Sequence, residues 1–290
     1  MNWLADTQYL LSQDFVIQAL IACALLGLLS GVMTTLIVLR RMSFAVHGTS
    51  ELALMGASAA LLFGLNVGLG AVVGAVVAAI VLALLGSKQQ DSAVGVVMSF
   101  GLGLSVLFIH LYPGNSKAAL SLLTGQIVGL RNDSLLLLAL VCVIVVLSVA
   151  ICWRPLLFAS VDPLMAKVSG VPVRRYSIFF AVLVGLSAAQ SVQIVGALLV
   201  MALLITPGAA AVEVTRSPVA ALGLSVLFAE VSAVGGLVLS LAPGVPVSVF
   251  VTSISFFIYL LCRLLGSRKA KRATPDTSIQ AAPGQTGCHH

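Results

Sequence analysis

The sequence predicts an all-α membrane protein, a polytopic bundle of about nine transmembrane helices. Three observations carry that expectation. The 290-residue chain is 60% hydrophobic and only 8% charged, against roughly 45–50% and about 25% in soluble domains. Its apolar runs are about twenty residues long, the length of a helix that crosses a bilayer, and continuous runs of that kind point to a helical bundle rather than a barrel. Between the runs lie short polar breaks that hold most of the basic residues.

Residues 1–14 form an expected external amino-terminal segment. It carries Asp6 and Asp14 and no lysine or arginine, so the first apolar run does not read as a signal peptide and is expected to stay. The expected spans are Phe15 to Leu39, His47 to Leu65, Val67 to Leu85, Ala93 to Leu111, Ser134 to Cys152, Ser177 to Val192, Val195 to Val212, Val219 to Leu241 and Val247 to Leu265. The second and sixth are short enough to be broken or partly re-entrant. Tyr112 to Asp133 should lie outside, and its half-apolar part, Ala118 to Leu130, is either a docking surface or a plain connector. Residues 15–266 make up the transmembrane domain, and the polar residues 267–290 read as a disordered cytoplasmic tail.

Arg268, Lys269, Lys271 and Arg272 follow the last span and should be cytoplasmic. Counting back through nine spans leaves thirteen of the fifteen lysines and arginines inside, with Lys117 and Arg131 outside and the amino terminus external. The net charge of +6 is thereby accounted for by position, and nothing suggests nucleic-acid binding. Cys23, Cys142, Cys152, Cys262 and Cys288 form no CxxC pair, which argues against a zinc ribbon or a disulfide framework. His289 and His290 beside Cys288 are weak grounds for metal binding. Glycines four residues apart, as in Gly64 and Gly68 or Gly70 and Gly74, signal close helix packing.

The stretch from Arg40 to Asn66 carries the chemistry. His47 and Glu51 are four residues apart, which places them on one helical face. An acid at the centre of a span costs about 2.5–3.5 kcal/mol on insertion scales, so it normally faces a cavity or a partner. Imidazole and carboxylate are ligand types that transition metals favour; the bland alternative is a structural pair near the cytoplasmic rim. Glu230, inside the eighth span, either lines the same pathway or bonds between helices. Glu213 and Arg216 read as an interfacial pair, and His110 as an entrance or interfacial residue. Asn66, Gln190 and Gln193 are expected at outer span ends, where water satisfies them.

The internal loop 154–176 contains a capped helix by its own signals: Asp162 at the cap, Pro163 at the first position and Gly170 at the stop. Here the sequence resembles a family, the membrane permeases of bacterial ABC importers for zinc, manganese and iron. The pattern Asp162, Ala166, Gly170 is similar to that family's ATPase-coupling helix. GALLVMALLITPGAAA, from Gly196 to Ala211, is similar to a second signature. In a third, Arg40, Met42, Ser43 and Gly56 align, but His47 and Glu51 stand with carboxylate and imidazole exchanged relative to the usual order. The resemblance implies a permease domain over 15–266 with type II ABC importer-like architecture, in the bacterial cytoplasmic membrane. It also implies metal contact at His47 and Glu51, with Glu230 less certain, and ATPase coupling through Asp162, Ala166 and Gly170.

The partners implied by the resemblance are a second copy of this chain, two copies of an ATP-binding subunit and an extracytoplasmic solute-binding protein that delivers the ion. The chain has no GxxxxGK[ST] loop, so ATP acts on a separate polypeptide and the chain is not itself an enzyme. No permanently bound cofactor is expected; the divalent metal is cargo. Two other readings stay open: an ion-coupled secondary metal transporter with Glu51 and Glu230 carrying protons, and an ABC permease for a metal complex such as a siderophore.

Overall fold

The computed structural model describes residues 13–85, 90–114, 130, 132–241 and 246–273. All of the stretch Ala118 to Leu130 except Leu130 itself, the basic residues Lys88, Lys117 and Arg131, the first twelve residues and Cys288, His289 and His290 lie outside the described residues.

Among the described residues every regular element is a helix. In chain order they are α1 (Asp14–Leu39), α2 (Ser43–Leu62), α3 (Val67–Leu85), α4 (Gln90–Leu111), α5 (Asn132–Ile151), α6 (Trp153–Val161), α7 (Pro163–Val168), α8 (Val173–Val195), α9 (Ala197–Leu204), α10 (Thr206–Val214), α11 (Pro218–Leu241) and α12 (Val247–Ala273). The core is built on α1 and α8, whose Leu26, Leu29, Met33, Leu36, Ile37 and Phe180 are fully buried, with Leu54, Leu199 and Leu203 packed against them. At the periphery, Leu136, Leu140 and Leu147 of α5 and Phe256, Phe257 and Leu264 of α12 are exposed, as suits side chains that meet lipid.

Glycine sets the closest approaches. Gly31 of α1 lies so near the Val226 backbone of α11 that a methyl group there would collide with it, and Gly27 stands in the same relation to Glu230. Gly56 of α2 packs on Gly70 and Gly74 of α3. The expected Gly64–Gly68 pair does not act this way. Gly64 has φ +67 and open space around it, in the turn between α2 and α3, while Gly68 makes room for Gln193.

The count of nine spans is not supported. Among the described residues six helices are long and apolar enough to cross a membrane: Asp14–Leu39, Val94–Leu111, Asn132–Ile151, Val173–Val195, Pro218–Leu241 and Val247–Gly266. The apolar stretches Val67–Leu82 and Leu199–Val214 are shorter. α2 is not among the six, because His47, Glu51, Ser43, Ser50 and Ser58 dilute its apolar content.

The interruption also falls elsewhere than expected. α2 and α8 are continuous, and the expected span Val195 to Val212 is the broken one. Gly196 has φ +81 and ψ 159, a region open only to glycine. At Ile205 the helix stops and restarts, with Pro207 in the first turn of α10. The last helix meanwhile runs on to Ala273, past the point where a disordered tail was expected to begin.

Candidate functional site

The site begins at a tight elbow. α1 ends in a reverse turn in which Arg41 N–H donates to Val38 O and Met42 N–H to Ile37 O, each at 3.0 Å. This is the hydrogen-bond pattern of a Schellman cap, with Arg41 at φ +55 where glycine is usual. α2 starts at once with Ser43, so His47 and Glu51 fall within its first turns.

Glu51 is 7% exposed and His47 half-buried, and the two interact electrostatically along one face. Buried Nδ1 of His47 and Oε2 of Glu51 have no hydrogen-bond partner among the described residues. The surrounding wall is close and apolar. A methyl at Gly48 would come within 3.0 Å of Val94 Cγ1, and one at Gly101 of α4 within 3.0 Å of the Leu52 side chain. From Leu52, next to Glu51, an apolar groove of about 790 Å³ runs along α2, α3 and α4 to Asn66. An imidazole nitrogen and a carboxylate oxygen, left unpaired in an apolar wall, can take up a divalent transition-metal ion.

Glu230 is not brought to that pair. It sits on α11 against Gly27 of α1, and among the described residues no group of three or more His, Cys, Asp or Glu side chains could hold a metal. His110 is exposed at the end of α4, Glu213 is exposed in the last turn of α10, and Arg216 is exposed in the turn before α11. Asn66 is exposed as expected, but Gln190 is not: it is 0% exposed, and both its amide atoms lack a partner among the described residues. Gln193 and Asn66 line a cavity of about 260 Å³ together with Asp133 and Ser134.

The loop 154–176 folds as its capping signals dictate. Asp162 Oδ1 accepts from Met165 N–H at 3.0 Å, and Pro163 occupies the first helical position of α7. At the other end Gly170 has φ +82, its N–H donates to Lys167 O, and Val171 N–H donates to Ala166 O. Those two bonds again make a Schellman cap. Ala166 is fully buried and pins α7 to the body of the protein, whereas Leu164, Met165 and Val168 are 79%, 59% and 83% exposed. The helix is thus anchored by one methyl and displays three large apolar side chains together on its outer side.

The sequence model of the ABC 3 transport family matches residues 12–266. The chain belongs to that family. It is similar to the manganese transport system membrane protein MntC of Listeria innocua serovar 6a, at 31% identity over 259 residues, covering 87% of this chain and 92% of the relative. It is also similar to the high-affinity zinc uptake system membrane protein ZnuB of Haemophilus influenzae, at 26% identity, covering 86% and 96%. Among solved structures, PsaBC from Streptococcus pneumoniae, in complex with Fab, superposes with a TM-score of 0.84 at 26% identity, covering 93% of this chain and 100% of that one.

Within this ABC 3 family chain, two residues have structural roles that sequence reasoning missed. Thr34 of α1 stands at the α9–α10 break: its Oγ1 donates to Ile205 O at 3.1 Å and accepts from Gly208 N–H at 3.2 Å. One hydroxyl thereby satisfies two backbone groups that the interrupted helix would leave bare. Arg40, expected as a positive-inside marker and as part of the third signature, is half-buried and lies 4.4 Å over the Phe180 ring. Burial pushes its guanidinium down to about 10, so it remains charged at neutral pH.

Proposed function

We infer that this chain is the transmembrane permease subunit of an ABC importer for divalent transition-metal ions of the zinc, manganese and iron group. The observation that carries the reading is the family match over residues 12–266, joined to relatives that are named as manganese and zinc transport membrane proteins. The unpaired His47 and Glu51 support a metal as the cargo.

The energy comes from a separate ATPase subunit, because this chain has no phosphate-binding loop. α7 is the seat for that subunit, with Leu164, Met165 and Val168 as its contact face and Asp162, Ala166 and Gly170 holding its shape. An external solute-binding protein delivers the ion. Two copies of the chain, each with an ATPase below it, form the pathway. The ion rests between His47 Nδ1 and Glu51 Oε2, where two protein ligands hold it weakly enough to leave. Closure of the ATPase pair on ATP then moves the two α7 helices and opens the pathway on the other side.

The deciding experiment is an ATPase assay on the chain co-purified with its ATPase in liposomes. Metal-loaded binding protein should stimulate hydrolysis and the metal should accumulate inside. Metal uptake driven by a proton gradient without any ATPase would refute the assignment.

A further inference from the structure

We propose that Arg40 is the positioning residue that transmits movement of α7 to the helix bearing His47 and Glu51. The inference rests on the proposed function, in which α7 is the ATPase seat and His47–Glu51 the metal pair.

The Arg40 guanidinium reaches across to α6. Its Nε donates to Ser160 Oγ at 2.7 Å and Nη2 to Leu156 O at 3.3 Å, both on that helix. Ser160 is buried and itself bonds back to Leu156 O, so guanidinium, hydroxyl and carbonyl close a triangle. α6 and α7 share a hinge residue, because Asp162 both ends α6 and caps α7. The same guanidinium lies over Phe180, in α8, the helix the chain enters after leaving α7. Arg40 therefore holds both segments that flank α7.

On its other side Arg40 is the C-cap of α1 and borders the elbow at Arg41 and Met42 that opens directly into α2. That elbow is short, and its left-handed residue is an arginine rather than a glycine. A displacement of α6 and α8 thus meets little slack before it reaches the first turns of α2, where His47 and Glu51 sit. Among the described residues no carboxylate pairs with Arg40. Even a half-buried cation with no counter-ion is costly where an apolar side chain would pack. Its three simultaneous contacts are ones that only a planar, forked cation provides; lysine supplies a single point charge that can neither fork nor stack in this way.

The test uses the whole complex, with its ATPase and binding protein, in liposomes. Arg40→Lys and the milder Ser160→Ala are compared with the unsubstituted protein at matched amounts of complex. Three quantities are read: basal ATP hydrolysis, its stimulation by manganese-loaded binding protein, and manganese accumulation.

Arg40→Lys should keep the ATPase bound and basal hydrolysis within about twofold, while stimulation is lost and accumulation falls about tenfold. Ser160→Ala should lie between the two, and Arg40→Lys with Ser160→Ala should be no worse than Arg40→Lys alone, as expected for residues acting through one contact. Full stimulation in Arg40→Lys would overturn the proposal. So would an equal loss of basal and stimulated hydrolysis in both variants, since that would leave Arg40 a merely structural role. Gly170→Val and Glu51→Gln run alongside as controls for the underlying reading. If those two leave accumulation untouched, the reading itself fails, whatever Arg40 does.

Discussion

His47 and Glu51 owe their interest to unsatisfied atoms. A buried polar group without a partner costs about 1–3 kcal/mol, and here an imidazole nitrogen and a carboxylate oxygen are both left so, on neighbouring turns. A metal ion between them removes both penalties at once. His47→Ala and Glu51→Gln should each reduce manganese or zinc uptake by about tenfold or more, the change produced by ~1.4 kcal/mol of lost binding. Radioactive uptake at matched expression measures it, and near-normal uptake in both variants would take the pair off the pathway. Uptake should also weaken as pH falls, because both ligands must shed protons before a metal binds. The pair was legible in the sequence because i, i+4 spacing is a local property of a helix. Gln190 was not: whether an amide near a helix end meets water depends on what packs over it, and here other helices leave it 0% exposed.

The elements show the same division. α7 was readable from Asp162, Pro163 and Gly170 because caps are local hydrogen-bond patterns, and the structure forms each of them. Its exposed face, Leu164, Met165 and Val168, was not readable, since apolar residues in a short loop helix face inward or outward according to the rest of the fold. Gly170→Val places a branched side chain at φ +82, a strain of about 1–2 kcal/mol. Metal-stimulated hydrolysis should fall while membrane insertion stays intact. Val168→Asp, which leaves both caps in place, should reduce ATPase co-purification; unchanged co-purification would show that the face docks nothing.

The α9–α10 break gives a separate expectation at this scale. Val195 to Val212 was expected as one span, and Thr34, which completes the break at Ile205, is distant in sequence. Thr34→Val keeps the shape and strips the hydroxyl, leaving two buried backbone groups without a partner. The detergent-solubilised protein should lose about 1–3 kcal/mol, measured as a lower melting temperature. An unchanged melting temperature would mean that water already serves the break.

For the whole molecule, the basic residues were assigned to a side by counting spans, and the helix contacts show which of them share one end of the bundle. α1 and α11 run antiparallel, with Gly27 beside Glu230 and Gly31 beside Val226, so the start of α11 lies level with the end of α1. α12 brings Gly266 against the Glu213 backbone at the end of α10. Arg40 reaches α6 and the early part of α8. These contacts gather Arg40, Arg154, Lys167, Arg174, Arg175, Arg216 and Arg263 at one end of the bundle. Short as they are, α9 and α10 together carry the chain from the far end of α8 back to that basic end, so the pair is expected to cross as one broken unit. By the positive-inside rule that basic end is expected to be the cytoplasmic one. Single cysteines introduced at exposed positions test this in intact cells with a membrane-impermeant thiol reagent. Asn66→Cys, in the turn after α2, should label from outside, whereas Ser169→Cys after α7 and Ser217→Cys before α11 should label only once the membrane is opened. If Ser169→Cys and Ser217→Cys labelled in intact cells, the bundle would be inverted; if only one of them did, α9 and α10 would not cross together.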